Sequence, residues 1–265
     1  MQLNAVQDLN VSVRSYWRLW MNLGIRDIRG RYRRTVIGPF WTVLSNAVMI
    51  VSLGLVYSIL WKLPVRELLP YFCAGYITWT MFTTVVNESS GAFIGADAII
   101  KSLGLPYLLH ILRVVWRNLL LFAHSLVVYA AVMVAFKIWP GRALLLAPFG
   151  LLVLSVNLFW ISLVVAIVCT RFRDVIQVVT SLLQVLFFLT PIFWPVDRLD
   201  GVPIARFVLA DANLAYHFVE VVRAPLMGRA PSALTWTYLI ATGLAGNALA
   251  MVFFNRYRAR VAFWL

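Results

Sequence analysis

The chain has 265 residues, of which 62% are hydrophobic and only 12% charged, with a formal net charge of +13 and a mean hydropathy of +0.86. A water-soluble domain of this length would be about 25% charged, so the composition excludes one and describes a chain that crosses a bilayer several times. The positive charge does not describe a nucleic-acid binder: arginine and lysine sit at the ends of apolar segments, and no basic soluble face is left to dock a duplex.

In chain order, residues 11–34 (VSVRSYWRLWMNLGIRDIRGRYRR) mix Tyr16, Trp17, Trp20, Leu23 and Ile28 with basic residues. This pattern predicts an amphipathic helix within residues 1–35, lying in the membrane interface with its arginines toward lipid phosphates. Seven arginines in the first 35 residues, followed by a long apolar run, argue against a cleavable signal. Apolar stretches predict spans at about 36–61, 70–90, 113–136, 143–169, 175–194 and 232–254. With the N-terminus inside, fifteen basic residues fall in inside segments and eight outside, which places both termini in the cytoplasm. No internal repeat or low-complexity linker divides the chain, so it reads as a single transmembrane domain.

Catalytic and cofactor signatures are absent. There is no GxxxxGK[ST], no HExxH and no GxSxG, so the chain holds no ATP by a P-loop of its own and no catalytic residues or metal ligands are expected. His110, His124 and His217 are far apart in sequence, and His124, in mid-span, is expected to bond across helices. Cys73 and Cys169 form no CxxC pair and read as packing residues. Glu88, beside Asn87, lies at a span end, too shallow for a proton relay. Arg113 and Arg117 are four apart and share a helical face, which suits either snorkelling to the interface or contact with an anionic headgroup. Gly243, Gly246 and Ala250 would permit close helix contact. Phe193, Trp194 and Tyr216, at the predicted outer mouth, offer flat faces suited to sugar rings.

Four runs, RDIRGRYRRTVIGPFW (26–41), ADAIIKSLGLPYLLHILRVVWRNLLLFAHSLVVY (96–129), RFRDVIQVVTSLLQVLFFLTPIFWP (171–195) and NLAYHFVEVVRAPLMGRAP (213–231), together resemble the membrane subunit of ABC-type polysaccharide exporters. These permeases export O-antigen, lipopolysaccharide, capsule or teichoic-acid chains, and the GPFW and RNLLLFAH wording is most similar to the lipopolysaccharide branch. Two departures stand out: Ser45 and Asn46 follow Trp41 where members often carry a proline, and Asn213-Leu214 stands where they often have Asn-Pro.

The resemblance implies an all-α integral membrane fold of six spans, an interface helix, a cytoplasmic coupling helix and periplasmic re-entrant gate helices. Arg26, Asp27, Arg31 and Tyr32 match the motif of the interface helix flanking the channel entrance, with Asp27 and Arg31 spaced to pair. Arg31, Arg33 and Arg34 would meet substrate phosphates there. Residues 95–106 would be the coupling helix that docks into a separate ATPase, with Asp97, Lys101 and Leu105 on one face and Pro106 ending it. Residues 195–231 would form the gate. Asn213 is its predicted N-cap, Leu214, Phe218 and Val221 an apolar face, His217, Glu220 and Arg223 a polar face, and Pro225 its end.

The implied partners are a second copy, two ATP-binding subunits that carry ATP and magnesium, membrane lipids and a polyprenyl-diphosphate-linked glycan. The implied location is the bacterial cytoplasmic (inner) membrane. An exporter of a drug or simple lipid is the alternative, and a membrane-embedded glycosyl- or acyltransferase a remoter one.

Overall fold

A computed structural model describes residues 4–33, 35–38, 40–199 and 201–265, and among them the regular structure is entirely helical. The predicted single interface helix is two. Helix α1 (Ala5–Arg14) opens on a capping box, in which Asn4 and Gln7 satisfy each other's backbone amides, and the chain breaks at Ser15-Tyr16 before α2 (Trp17–Arg31).

Helix α3 (Phe40–Trp61) and α4 (Val65–Ser90) follow; α4 begins five residues before the predicted span and carries Pro70 inside it. A 3₁₀ turn (Ile94–Ala96) leads into the short α5 (Asp97–Leu103), then α6 (Leu108–Phe136), which also starts five residues before its predicted span. Helix α7 (Ala147–Arg171) follows a 3₁₀ stretch from Gly141, and α8 (Val175–Leu189) is only 15 residues long because the chain bends at Thr190. After the small α9 (Pro203–Arg206) come α10 (Leu214–Leu226) and α11 (Ala233–Trp264), which continues ten residues past the predicted end of the last span.

Among the described residues, four stretches are long and apolar enough to cross a membrane: Phe40–Trp61, Leu108–Phe136, Gly141–Arg171 and Ala233–Trp264. Helix α4 has ample length at 26 residues but carries threonines, asparagine and two glutamates, while α8 is apolar but short.

The core forms where α4 packs between α6, α7 and α10, with α3 outside it; a second cluster joins α1, α5 and parts of α6, α7 and α11. Helices α7 and α11 run side by side, and the small residues read from the sequence explain how. A Cβ at Gly246 would lie 2.4 Å from the Trp160 ring, and one at Gly243 3.2 Å from the Asn157 amide nitrogen. Asn157 then donates to the Leu239 carbonyl across the contact at 2.9 Å. Among the described residues His124 makes no hydrogen bond across helices; its Nδ1 faces its own helix at the Leu120 carbonyl, and its ring meets Phe40 edge-on.

Helix α1 is tied down by a buried carboxylate. Asp8 accepts from the amides of Tyr107 (3.2 Å) and Leu108 (3.0 Å), capping α6, and Arg258 of α11 lies 3.2 Å away. Burial pushes the Asp8 carboxyl up from its ordinary value despite the two amides and the arginine that favour its charged form.

Candidate functional site

The amphipathic pattern of α2 delivers its charged residues to the ends of α4 and α6. Gly24 lets α2 approach closely, since a Cβ there would meet Trp116 at 2.9 Å, and Trp20 packs edge-on against the same ring. One turn further, Asp27 does not pair with Arg31 as its spacing suggests. It accepts instead from Nε and Nη2 along one guanidinium edge of Arg113, with Nε at 2.7 Å, and from Arg117 Nη1 at 2.7 Å. Arg31 reaches across to Glu88 on α4 at 2.5 Å.

Glu88 is the second hub. Its Oε2 accepts from Arg117 Nη2 and Asn118 Nδ2, each at 2.6 Å. Three arginines and two carboxylates thus share one network, and Arg113 and Arg117, read from the sequence as snorkelling or headgroup-binding, spend their donors inside the protein. Burial alone would raise the Asp27 carboxyl, but hydrogen bonds and charge from Arg113 and Arg117 outweigh it and hold the group below its ordinary range.

Arg31 is the looser member: its side chain is 45% exposed against 13% for Arg117. It lines a cavity of about 140 Å³ with Tyr32, Thr42, Thr80, Asn118 and Ser125. Tyr32 is fixed there by a hydrogen bond to Thr42. Arg26 and Arg33 are exposed, and Arg34 lies outside the described residues.

A larger groove of about 510 Å³ runs between α3, α4 and α8. Its floor is α4, where Tyr76, Thr80, Thr83 and Asn87 recur at helical spacing, and its wall is α8 with Thr180, Gln184, Phe187 and Phe188. Thr180 donates to Asn87 at 3.1 Å, joining floor to wall. The apolar length that marks the spans does not by itself reveal this surface. The signal was present in the 4-3-4 spacing of the α4 polar residues.

Residues 18–227 match the family described as ABC-2 type transporter. The chain belongs to the ABC-2 transporter permease family. Permeases of this family are transport membrane subunits that normally pair with an ATP-binding subunit. Among its relatives, an O-antigen export system permease protein RfbA from Myxococcus xanthus is 26% identical over 199 residues, covering 74% of this chain and 75% of that one. A protein of the same description from Klebsiella pneumoniae is 24% identical over 259 residues, covering 89% and 91%.

In this permease, Asp97 and Lys101 do share a face of α5 and pair at 2.9 Å. Leu105 does not continue that face. The helix ends at Leu103, where Gly104 adopts a left-handed φ of +57°, so glycine rather than Pro106 terminates it. Ile100 is buried against the second core cluster, while Lys101, Ser102 and Leu103 project outward.

The gate segment also differs from its sequence reading. Asn213 caps α10 as expected, accepting from the amides of Ala215 (3.0 Å) and Tyr216 (3.4 Å). Pro225, however, lies inside α10, and the supposed polar face is internal: His217 and Arg223 are fully buried. His217 bridges Thr235 Oγ1 and the Asp211 carbonyl at 3.0 Å each.

Arg223 pairs with Glu220 at 2.6 Å, donates to the Pro191 carbonyl at 2.6 Å and lies 4.1 Å from the centre of the Tyr71 ring. Gly75 clears room for this, since a Cβ there would sit 3.2 Å from the Ile192 carbonyl oxygen. Phe193 is buried too, stacked on Tyr57 at 4.8 Å, and Phe218 packs on Phe82. Of the predicted mouth residues, Trp194, Tyr216 and Glu220 keep partial exposure.

Proposed function

We propose that this permease is the channel-forming subunit of an ATP-driven exporter that moves a lipid-linked polysaccharide of O-antigen type across the cytoplasmic membrane to the periplasm. The observation that carries the reading is the groove along α4 and α8. Sugar rings present apolar CH faces and a rim of hydroxyls, each expensive to bare to hydrocarbon. Tyr76, Trp79 and Phe188 offer aromatic surface there, while Thr80, Thr83, Asn87, Thr180 and Gln184 offer hydrogen bonds. The names of the relatives point the same way.

In this reading α4 and α8 complete six crossings, leaving both termini in the cytoplasm. One groove is half a channel, and a second copy across a twofold axis closes it. Arg31, Arg33 and Arg34 receive the diphosphate at the cytoplasmic entrance by charge-assisted bonds. Trp194, Tyr216 and Glu220 belong to the periplasmic gate. The projecting tip of α5 docks on a partner ATPase, whose closure on ATP moves the spans as rigid bodies.

The test is the location of lipid-linked glycan in cells lacking this chain. Accumulation on the cytoplasmic face, rescued by the intact permease but not by D97K/K101D, is the expected result. Unchanged surface glycan with no accumulation would overturn the reading in favour of drug or simple-lipid export.

A further inference from the structure

A groove of about 550 Å³ runs along the α7–α11 pair, with Leu214 at the start of α10 beside it. Trp160, Val164, Gly246, Leu249 and Phe253 line it, Thr242 stands near one end, and Arg256 closes the other. The lining is otherwise apolar, so this single cation sets the chemistry of the occupant.

Thr242 and Arg256 stand fourteen residues apart on continuous helix, about 21 Å at 1.5 Å per residue. One leaflet of hydrocarbon is about 15 Å deep, so the groove is long enough for an acyl chain with its headgroup at the arginine. Depth along α7 agrees. Gly246 lies against Trp160, and from that contact Arg171 follows eleven residues on in α7 and Arg256 ten residues on in α11, so the two arginines reach similar depth.

The charge pattern on α11 is sorted by face. Arg258 turns inward to buried Asp8, whereas Arg256 and Arg260 are exposed and one turn apart. Two outward cations beside an apolar groove complement an anionic phospholipid, and a zwitterionic one less well.

We infer that the α7–α11 groove is a binding site for an anionic phospholipid, one acyl chain lying against Trp160 and Gly246 and the phosphate held by Arg256 and Arg260. The inference needs only that these two helices cross a bilayer, and stands apart from what the permease carries.

Trp160 provides the probe. The full-length chain is placed in nanodiscs containing phosphatidylglycerol or phosphatidylcholine with brominated acyl chains, and the Trp160 share of emission is taken as the difference between the native chain and W160F. Brominated phosphatidylglycerol is expected to quench that share several-fold more effectively at equal mole fraction. R256Q/R260Q is expected to abolish the preference while leaving quenching by phosphatidylcholine unchanged. A245F, which fills the exposed groove floor without touching the arginines, is expected to reduce quenching by both lipids. Equal quenching by the two lipids, unaltered in R256Q/R260Q, would reduce the site to bulk lipid contact and overturn the inference. Absence of quenching by either would mean that protein, such as a second copy, covers the groove, and overturns it equally.

Discussion

Arg117 on α6 holds two acids at once, its Nη1 2.7 Å from Asp27 of α2 and its Nη2 2.6 Å from Glu88 of α4. One guanidinium thereby ties α2 to two core helices. All three side chains are largely buried, so removing the arginine leaves two carboxylates short of compensation. R117A is expected to lower stability by about 2–4 kcal/mol, read as a drop in thermal midpoint in nanodiscs. R117K carries a point charge in place of a fork and should fall between. An R117K midpoint equal to that of the native chain would show that the bidentate geometry is dispensable.

The same network has a pH signature. The Asp27 carboxyl is held below its ordinary value in the folded protein, so its contribution to α2 docking is complete above that ordinary value, about 4. It is lost as pH falls through the lowered folded-state value. Trp20 and Trp116 stack edge-on at the α2–α6 contact and report docking. Their emission is expected to be flat from pH 7 to about 4 and to change below, with D27N removing the part due to this group. A transition near neutral pH that survives in D27N would assign the contact to another ionisable group.

Arg31 is the exchangeable partner of Glu88, which keeps Arg117 and Asn118 when Arg31 leaves. R31A is therefore expected to cost less than about 1 kcal/mol of stability, as an exposed pair does, yet to impair export strongly if this arginine meets substrate phosphate. Export rate at matched membrane abundance checks this. Export at the native rate would remove Arg31 from the entrance.

Much of the membrane character was legible in the sequence, because apolar length and arginine placement are one-dimensional signals. The α10 cap at Asn213, the shared face of Asp97 and Lys101 and the glycines of α11 were legible for the same reason: each depends on spacing within one element. What failed depended on neighbours. Asp27 and Arg31 had the right spacing to pair, but α6 presents two arginines that compete better for Asp27, and α4 presents Glu88 to Arg31. Arg223 reads as solvated because nothing in the sequence shows that Tyr71, Gly75 and Pro191 converge on it. The end of α8 has a local signal that apolar length alone hides: Pro191 pushes Thr190 into its extended conformation, and Asn213 and Arg223 then hold the bend.

Gly246 makes a sharper claim than the small-residue spacing alone. A side chain there meets the Trp160 ring at 2.4 Å, and the ring is itself held by a hydrogen bond from its Nε1 to Asn157 at 3.2 Å. G246V is expected to push α7 and α11 apart and cost about 1–3 kcal/mol. G243A, whose new methyl meets only an amide nitrogen at 3.2 Å, should cost less. Thermal midpoints of the two variants decide the order, and a G243A more damaging than G246V would contradict this account of the contact.

The last prediction concerns the Arg223–Glu220 pair. Arg223 is wholly buried and fastens the 190–195 bend to α10 through the Pro191 carbonyl, while Tyr71 donates to the Pro191 and Trp194 carbonyls from α4. Truncating one member of such a pair strands the other's charge, about 3–5 kcal/mol. R223L should therefore destabilise strongly and expose the bend, seen as faster labelling of a cysteine placed at Trp194 by an impermeant maleimide. Replacing both members is different, because an apolar pair of similar volume leaves no stranded charge. R223L/E220L should recover most of the stability lost in R223L, but not the bond to the Pro191 carbonyl, so labelling should stay fast. If the double variant restored slow labelling as well, burial of apolar surface alone would be holding the bend, and the arginine's bond to Pro191 would have no separate role.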